Sequence, residues 1–404
     1  MKVKFKKYFK GDIGIWMLIF ILAIISMLTV YSATGSLAYK RMDGNTTYFL
    51  FRHLTFLAIG IGIIYIVHNI SYKIFFSLSV ILLYISVILL MLTLVIGVNL
   101  NEASRWLTLP GTGLTFQTSD LAKIALITYI ARVLSMSQDN IGDYKKVLKP
   151  ILIWTVIICG LILPANFSTA AMLFLISMGL LFIGRIPLKQ LAVVAGGTIV
   201  AGALLLVLIW NFPQVWRFRT WKTRIETFVD KDSNSDNNYQ ANQAKVAIVN
   251  GGFFGRGPGN SVQRNYIPHP YSDFIYAIII EEYGLAGGLT IILMYLFLLY
   301  RVGKIVRKSN RTFQAFLAIG LALSLVIQAM INLAVAVNIF PVTGQTLPFV
   351  SMGGTSIIFT SGAFGIILNI SRQVYSEQEE NAEIQEENIG NGIETPDFDL
   401  VENI

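Results

Sequence analysis

The sequence is dominated by a succession of apolar stretches, each about as long as a membrane-spanning helix. Charged residues make up only 13% of the 404 residues, about half of their share in soluble proteins. Roughly 20 apolar residues in a helix cross the hydrocarbon core of a bilayer, and a soluble core could hide one such stretch but not ten. The sequence therefore predicts an all-α polytopic membrane protein with spans at roughly 13–34, 50–69, 73–97, 118–136, 148–164, 167–184, 188–211, 272–300, 312–339 and 355–372.

The spans divide the chain into three regions. A basic amino terminus (1–12) precedes the transmembrane domain (13–372), and an acidic tail (373–404) follows it. The tail is polar and acidic with one aromatic residue after Ser376, a composition that predicts disorder. The first apolar stretch lacks a small-residue cleavage site, so we expect it to be retained as a helix.

The distribution of lysine and arginine predicts the orientation in the membrane. The loop "RVGKIVRKSNR" after span eight has five basic residues, whereas "PANFS" and the loop 340–354 have none. The positive-inside rule then places both termini in the cytoplasm and the large segment 212–271 outside. Nucleic-acid binding is not expected on that outer face.

The outer segment contains two notable patterns. "VWRFRTWKTR" mixes aromatic residues with Arg217, Arg219, Lys222 and Arg224, which suits a phosphate-bearing lipid headgroup or a general headgroup anchor equally well. Five glycines within 251–259 allow the backbone to approach a ligand closely. Their spacing is not that of a nucleotide-binding P-loop, and a re-entrant or lid-like loop is the alternative interpretation.

Three carboxylates mark the start and the interior of span eight, in "PHPYSDFIYAIIIEEYG". Asp273 lies where the outer segment becomes a helix, so it could cap that helix or act as a general base beside a headgroup site. Glu281 and Glu282 lie about 12 Å deeper at 1.5 Å per residue, where unpaired carboxylates are costly. We expect at least one of them to pair inside the bundle, with Lys123 or Arg132 as candidate partners.

Polar residues also surround the start of span four. Asp120 and Lys123 are three residues apart, so they share a helix face and could form a local ion pair. Arg105 and Trp106 precede them and suit an anchor at the membrane interface. The single Cys159 excludes a disulfide framework and a thiolate zinc site.

These segments together resemble the SEDS family of bacterial cell-wall glycosyltransferases, whose members include RodA and FtsW. The likeness runs from residue 30 to residue 372 and lies in six motifs: "RW…FQ.SD..K" (Arg105, Trp106, Gln117, Ser119, Asp120, Lys123), "YQ..Q" (Tyr239, Gln240, Gln243), "GNSVQ" (Asn260, Ser261, Gln263), "SDFI" (Asp273), "EEYG" (Glu281, Glu282) and "P.TG.TLPF.S.GG.S" (Pro348, Ser351, Gly353, Gly354). The "GNSVQ" element is more similar to the FtsW division branch than to the elongation branch.

The resemblance implies an inverting peptidoglycan glycosyltransferase that polymerises lipid II into β-1,4 glycan strands outside the bacterial cytoplasmic membrane, at the division septum. It implies that Asp273 is the catalytic base, that the other motif residues contact the substrate, and that Glu281 and Glu282 shape a polar interior. The four basic residues of "VWRFRTWKTR" would hold the pyrophosphate, with a divalent cation (Mg or Mn) whose ligands are unassigned. The implied partners are a class B penicillin-binding protein transpeptidase and other divisome membrane proteins.

The chain departs from the family pattern at several positions. Thr118-Ser119-Asp120 stands for Pro-Ser-Glu, and His269, Asn166 and Met352 stand where the family has an acid, an aspartate and a tyrosine. These departures leave fewer acids for binding a metal. A lipid II flippase, the elongation polymerase and a scaffold that recruits a partner stay open as alternatives, which reconstitution with lipid II separates.

Overall fold

The computed structural model describes residues 10–41, 45–100, 103–108, 115–214, 218–229 and 236–390. Its α-helices, in chain order, are α1 (Ile13–Ala33), α2 (Gly35–Arg41), α3 (Thr46–Asn69), α4 (Tyr72–Ile96), α5 (Thr118–Met136), α6 (Lys149–Ile162), α7 (Phe167–Ile183), α8 (Leu188–Asn211), α9 (Phe218–Val229), α10 (Asp236–Gly251), α11 (Ile275–Arg307), α12 (Thr312–Ala336) and α13 (Thr355–Gly390). Short 3-10 helices at Gln138–Asn140 and Gln263–Asn265 and a π-helix at Tyr144–Leu148 complete the helical part.

Each of the ten predicted spans corresponds to one of these helices, and the predicted all-α polytopic architecture is confirmed. Seven helices, namely α1, α3, α4, α8, α11, α12 and α13, are long and apolar enough to cross a membrane by themselves. Of the other three, α7 is apolar but shorter, α6 has only 14 residues, and α5 includes three charged side chains. The helix α12 lies in the interior of the bundle, whereas α8 is almost entirely exposed along its length.

A small antiparallel sheet connects α4 to α5, where the sequence analysis predicted no strand. Its strands are β1 (Val98–Leu100), β2 (Ala103–Thr108) and β3 (Thr115–Gln117), and β2 is central. In the β2–β3 ladder Trp106 pairs with Gln117 and Thr108 with Thr115. The sequence did not reveal them because β1 and β3 have only three residues each and the six residues of β2, "ASRWLT", do not alternate strictly between apolar and polar.

The helix α11 is broken in its middle, at Gly284, whose backbone adopts φ 71° and ψ −174°. Such a break leaves main-chain groups without helical partners, and the apolar part of a membrane cannot solvate them. The glycine-rich segment supplies the partners. Arg256 N and Gly257 N donate to the carbonyls of residues 281 and 282, and the amides of residues 285 and 286 donate to Gly252 O and Phe253 O, all at 2.9–3.3 Å.

The glycines of this segment are required by its contact with α11. A Cβ atom at Gly251 would lie 2.0 Å from Ile280 O, and one at Gly255 would lie 2.2 Å from Glu282 O. The close backbone approach that these glycines permit is therefore to α11 of the same chain, which corrects the interpretation of a ligand-binding glycine loop. The segment folds back along the span as a re-entrant element.

The last helix extends further than predicted. α13 runs without interruption to Gly390, whereas disorder was expected from residue 373 onward. Residues 376–390 contain no proline, and their glutamate, glutamine and alanine residues are good helix formers, so they can extend a helix that the membrane has already nucleated. The remainder of the predicted tail lies outside the described residues.

The residue before α1 contacts α11 and α13 at one end of the bundle. Asp12 caps α1 through Ile15 N, and its carboxylate accepts from Arg301 Nη2 (2.5 Å) and from the Tyr375 hydroxyl (3.1 Å). Asp12 N donates to Ser371 Oγ at 2.7 Å. The start of α1 and the polar end of α13 therefore lie on the same side of the membrane domain.

Candidate functional site

A polar cavity of about 220 Å³ lies at the start of α11, at the opposite end of that helix from Arg301 and its contact with Asp12. Predicted site residues from several distant segments line it: Arg105, Trp106, Gln117, Asp120, Asp273 and Gly353. The other lining residues are His269, Tyr271, Ser272, Gln328, Gly344, Gln345, Thr346, Met352 and Ser356. The structure thus brings the "RW…FQ.SD..K", "SDFI" and "P.TG.TLPF.S.GG.S" motifs together around one space.

Asp273 is in the cavity wall and does not cap α11. The N-cap residue of that helix is Phe274, and no side chain makes a capping hydrogen bond there. Asp273 Oδ1 accepts from the Ser272 hydroxyl at 2.8 Å. Asp273 therefore precedes the N-cap position of α11, and its carboxylate lies at the cavity surface.

Arg105 reaches the same part of the cavity from strand β2. Its Nε donates to Ala165 O at 2.7 Å. A Cβ atom at Gly344, which has φ +66°, would lie 3.3 Å from Arg105 Nη1 and 3.7 Å from Asp273 Oδ2. Gly344 is thus flanked by a cation and a carboxylate, and a Cβ there would be tight against Arg105 and in ordinary contact with Asp273.

A buried ion pair lies beside the cavity, which Asp120 lines and Lys123 does not. Lys123 Nζ lies 2.8 Å from Asp120 Oδ1 and donates to Gln328 Oε1 at 2.9 Å. Both charged side chains are buried, and Asp120 Oδ2 has no hydrogen-bond partner among the residues that the structure describes. The predicted local pair is therefore present, and it is fastened to α12 through an amide that the sequence analysis did not single out.

Glu281 and Glu282 lie away from this cavity and pair with neither Lys123 nor Arg132. Arg132 Nη1 donates instead to Phe76 O at 2.8 Å. The expected partners were wrong because sequence distance does not show which helix faces are opposed. Both glutamates are buried and bind the "GNSVQ" loop and its surroundings.

Glu281 organises the "GNSVQ" loop directly. Its carboxylate accepts from the Ser261 hydroxyl and from the main-chain amides of Val262 (3.2 Å) and Gln263 (3.2 Å). Arg256 Nη1 lies 4.0 Å from it. Ser261 and Gln263 therefore have structural contacts in this protein, and neither lines the cavity.

Glu282 is linked to α1 and to the same loop. It accepts from the Ser32 hydroxyl, and Arg264 Nη1 donates to that hydroxyl oxygen at 2.9 Å. Neither carboxylate lines the Asp273 cavity. The buried polar region that the two glutamates form therefore supports the re-entrant segment.

The basic residues of the outer segment also lie apart from Asp273. Arg219 is exposed on α9, and Lys222 lies 3.7 Å from Glu226 and over the Trp210 ring at 5.5 Å. Arg217 and the side chain of Arg224 fall outside the described residues. The apolar face of α9 borders a second cavity, of about 270 Å³, lined by Phe167, Ser168, Gly202, Leu205, Leu206, Ile209, Trp221, Ile225, Pro341 and Val342.

The remaining predicted residues are distributed around these elements. Tyr239, Gln240 and Gln243 lie on α10 outside the cavity lining, with Tyr239 exposed. Ser119 accepts from Gln117 Nε2 at 2.8 Å, and Asn260 Nδ2 donates to Arg256 O at 3.1 Å. Pro348 O accepts from the Tyr295 hydroxyl. Ser351 is buried, and Gly354 has φ +51°.

Three departures from the family pattern can be placed in the structure. Asn166 occupies the position of an expected aspartate and still caps α7, because its Oδ1 accepts from Thr169 N at 3.2 Å. His269 and Met352 both line the Asp273 cavity, so these two exchanges change the chemistry of the site itself.

Comparison with known proteins agrees with this arrangement. A family model described as "Cell cycle protein" (FtsW, RodA, SpoVE) matches residues 13–376. Relatives named "Probable peptidoglycan glycosyltransferase FtsW" include one from Trichlorobacter lovleyi, 34% identical, covering 89% of this chain and 93% of the relative, and one from Nitrosococcus halophilus, also 34% identical, covering 86% and 88%.

Solved structures share the fold. A chain from a peptidoglycan synthase complex, studied for its coordination of polymerization and crosslinking, aligns with a TM-score of 0.71 and 25% identity, over 90% of this chain and 98% of that chain. The rod-shape-determining protein RodA of Thermus thermophilus aligns with a TM-score of 0.65 and 24% identity over the same shares. The motifs, the fold and the family match together show that this chain belongs to the FtsW/RodA/SpoVE family of membrane proteins.

Proposed function

We propose that this protein is a peptidoglycan glycosyltransferase that polymerises lipid II at the outer face of the bacterial cytoplasmic membrane. The observation that carries the proposal is the placement of Asp273 in a polar cavity with Arg105 and Asp120, in a chain whose relatives are named for that activity. Both termini are cytoplasmic in this proposal, in keeping with the contact between Asp12 and Tyr375.

Asp273 acts as the general base. The C4 hydroxyl of the acceptor N-acetylglucosamine attacks C1 of the donor N-acetylmuramic acid, and its proton passes to the Asp273 carboxylate. The bond between C1 and the lipid pyrophosphate breaks, and its electron pair leaves with the pyrophosphate. Attack opposite to the leaving group converts an α-linked donor into a β-1,4 bond, so a single displacement with one base is sufficient.

The leaving pyrophosphate needs positive charge close to it. Arg105 lines the same cavity as Asp273, and a guanidinium can bind phosphate oxygens in a bidentate manner. Arg219 and Lys222 stand farther out, on a helix whose other face borders the apolar cavity. A lipid-linked pyrophosphate has both an anionic group and a long apolar chain, and these two faces of α9 suit those two parts.

A divalent cation is part of the proposal. The described residues contain no cluster of three or more side chains that could hold a metal ion. Magnesium is often bound by one or two carboxylates together with substrate phosphates, and Asp120 and Asp273 in one cavity fit that mode of binding. When bound, the cation would neutralise charge on the leaving pyrophosphate.

A septal role and a partner transpeptidase are further parts of the proposal. All the relatives cited above carry the division name FtsW, and the "GNSVQ" element agrees with that branch. The aligned chain of the synthase complex supports a class B penicillin-binding protein as the partner, alongside other divisome membrane proteins. Depletion of the protein is expected to produce filamentous cells, whereas round cells would favour the elongation role.

The test of the proposed base is Asp273→Asn, assayed with purified lipid II, the partner and a divalent cation. Because asparagine has nearly the same shape as aspartate and is equally suited to the start of a helix, we expect normal insertion and substrate binding, with glycan synthesis reduced by about 10²-fold to 10⁴-fold. Near-normal synthesis would show that Asp273 is not the base. If labelled lipid II crossed vesicle membranes without any glycan product, the flippase alternative would replace the proposal.

A further inference from the structure

The main chain that carries Asp273 is held by a side chain from the interior helix α12. Asn332 is 1% exposed, and its Nδ2 donates to Asp273 O at 2.9 Å and to Gln345 O at 2.7 Å. Both acceptors are carbonyl oxygens, so the opposite orientation of the amide would set its own oxygen against two acceptors. Asn332 therefore joins the Asp273 segment to the loop that forms the facing wall of the cavity.

The two residues before Asp273 are held in the same way by that loop. Ser351 Oγ donates to Ser272 O at 2.7 Å and accepts from Leu347 N at 2.8 Å. Met352 N donates to Tyr271 O at 2.9 Å. Three consecutive carbonyls, at residues 271 to 273, are thus each bonded to a part of the chain that is distant in sequence.

This clamp matters because Asp273 lies just outside α11. The helix begins at Ile275 without a side-chain cap, so helical hydrogen bonds do not fix the main chain of Asp273. The position of its carboxylate follows from the position of its main chain, and a misplacement of about 1 Å in a reacting group can reduce a rate about 10²-fold.

We propose that Asn332 is a positioning residue for the catalytic base, acting through the main chain of Asp273 without touching the substrate. This inference rests on the role proposed above for Asp273. Asn332 uses both hydrogens of its amide nitrogen in this clamp, its Oδ1 has no hydrogen-bond partner among the described residues, and the side chain does not line the Asp273 cavity.

The first test is Asn332→Leu, which keeps the approximate volume and removes both donated hydrogen bonds. We expect kcat for glycan synthesis to fall by about 10-fold to 10²-fold, whereas KM for lipid II stays within about 3-fold, because the residues that contact substrate are unchanged. Asn332→Asp, which keeps the shape but replaces the donor by an acceptor, serves as the second variant if the leucine protein does not insert.

Asn369 offers a matched control at the other end of the bundle. It is 0% exposed, and its Nδ2 also donates to main-chain carbonyls, those of Val67 (3.2 Å) and His68 (2.9 Å). Asn369→Leu should lower thermal stability as Asn332→Leu does, but folded Asn369→Leu should keep the kcat of the unchanged protein.

A double-mutant cycle separates positioning from a purely structural role. If Asn332 acts through the carboxylate of Asp273, adding Asn332→Leu to Asp273→Asn should reduce kcat no further. A further 10-fold loss in that background, an unchanged kcat in the single variant, or an equal loss in Asn369→Leu would each overturn the inference. Substantial activity of Asp273→Asn alone would instead remove the proposed base, and this result is distinguishable because it does not involve Asn332.

Discussion

Glu281 and Glu282 are adjacent, buried and chemically identical, yet the structure predicts different consequences for the same substitution. Glu281 accepts hydrogen bonds from the Ser261 hydroxyl and from two main-chain amides of the "GNSVQ" loop. Glu282 accepts from the Ser32 hydroxyl, and the main chain of Gly259 and Ser261 and the guanidinium of Arg264 lie near its carboxylate. Replacement of each by glutamine, which has nearly the same shape, therefore tests the contacts and not the volume.

The expected loss of stability in Glu281→Gln follows from the hydrogen bonds that change. A hydrogen bond to a charged group contributes about 1.5–3 kcal/mol and a neutral one about 0.5–1.5 kcal/mol. In Glu281→Gln the amide oxygen can serve the two main-chain donors and the NH₂ group can face Ser261, so three charge-assisted bonds become neutral ones. Relief from burying a charge offsets part of this loss, and we expect a net destabilisation of about 2 kcal/mol.

Glu282→Gln is the reference for this comparison. Glu282→Gln keeps an oxygen for Ser32 and removes a buried charge, so its stability should stay within about 1 kcal/mol of the unchanged protein. Glu281→Ala should be the least stable, because it leaves three donors unsatisfied. Thermal unfolding in detergent at one fixed heating rate gives the order, since unfolding of a protein of this kind is expected to be irreversible. Trypsin cleavage at Arg256 and Arg264 should become faster in Glu281→Gln. Equal melting temperatures for the two glutamine variants would refute this account of the loop.

Two further predictions concern the re-entrant segment and the topology. Gly255→Ala should prevent the re-entrant segment from packing against α11, because the new Cβ would lie 2.2 Å from Glu282 O. Gly259 has a similar φ of +78° but open space around it, so Gly259→Ala should show only the strain of a left-handed residue, about 1–2 kcal/mol. Similar melting temperatures for the two variants would contradict this prediction. With Cys159 replaced by alanine, a cysteine at Thr223 should react with an impermeant maleimide outside the cell and one at Ser376 only after permeabilisation, and external labelling of position 376 would overturn the orientation.

The spans were predictable because a bilayer imposes one requirement on every segment that crosses it. An apolar run of sufficient length satisfies this requirement whatever its neighbours are, so hydropathy located all ten helices. Helix ends that depend on tertiary contacts were predicted less well. Span eight was expected to end at residue 300, but α11 continues to Arg307, through a basic stretch that hydropathy assigns to a loop.

The break at Gly284 and the pairing of the glycine-rich segment could not be read from local sequence. Both depend on which main-chain atoms approach each other from residues about 30 positions apart, and no periodic pattern records this. The partners of Glu281 escaped prediction for the same reason, because the carboxylate binds two main-chain amides, which any residue can supply.

The amides on α12 are different, because a signal for them was present. Gln328 and Asn332 are four residues apart in an apolar helix, so they share one face, and polar side chains within a span usually face the protein interior. Only charged residues within the spans were considered as candidates, so these two amides were not predicted. In the structure one binds Lys123 and the other the main chain of Asp273, so this face of α12 connects the ion pair beside the cavity to the Asp273 segment.

The sequence left open whether the glycine-rich segment is a lid or a re-entrant element, and the hydrogen bonds decide between them. Opening residues 252–257 as a lid would break four main-chain bonds to α11 and expose the broken helix. Within a bilayer each unsatisfied group costs several kcal/mol, so the open state would be very sparsely populated. The "GNSVQ" loop is further tied to α11 through Glu281. We therefore expect the segment to remain seated, and in the proposed mechanism lipid II would reach the Asp273 cavity without displacing it.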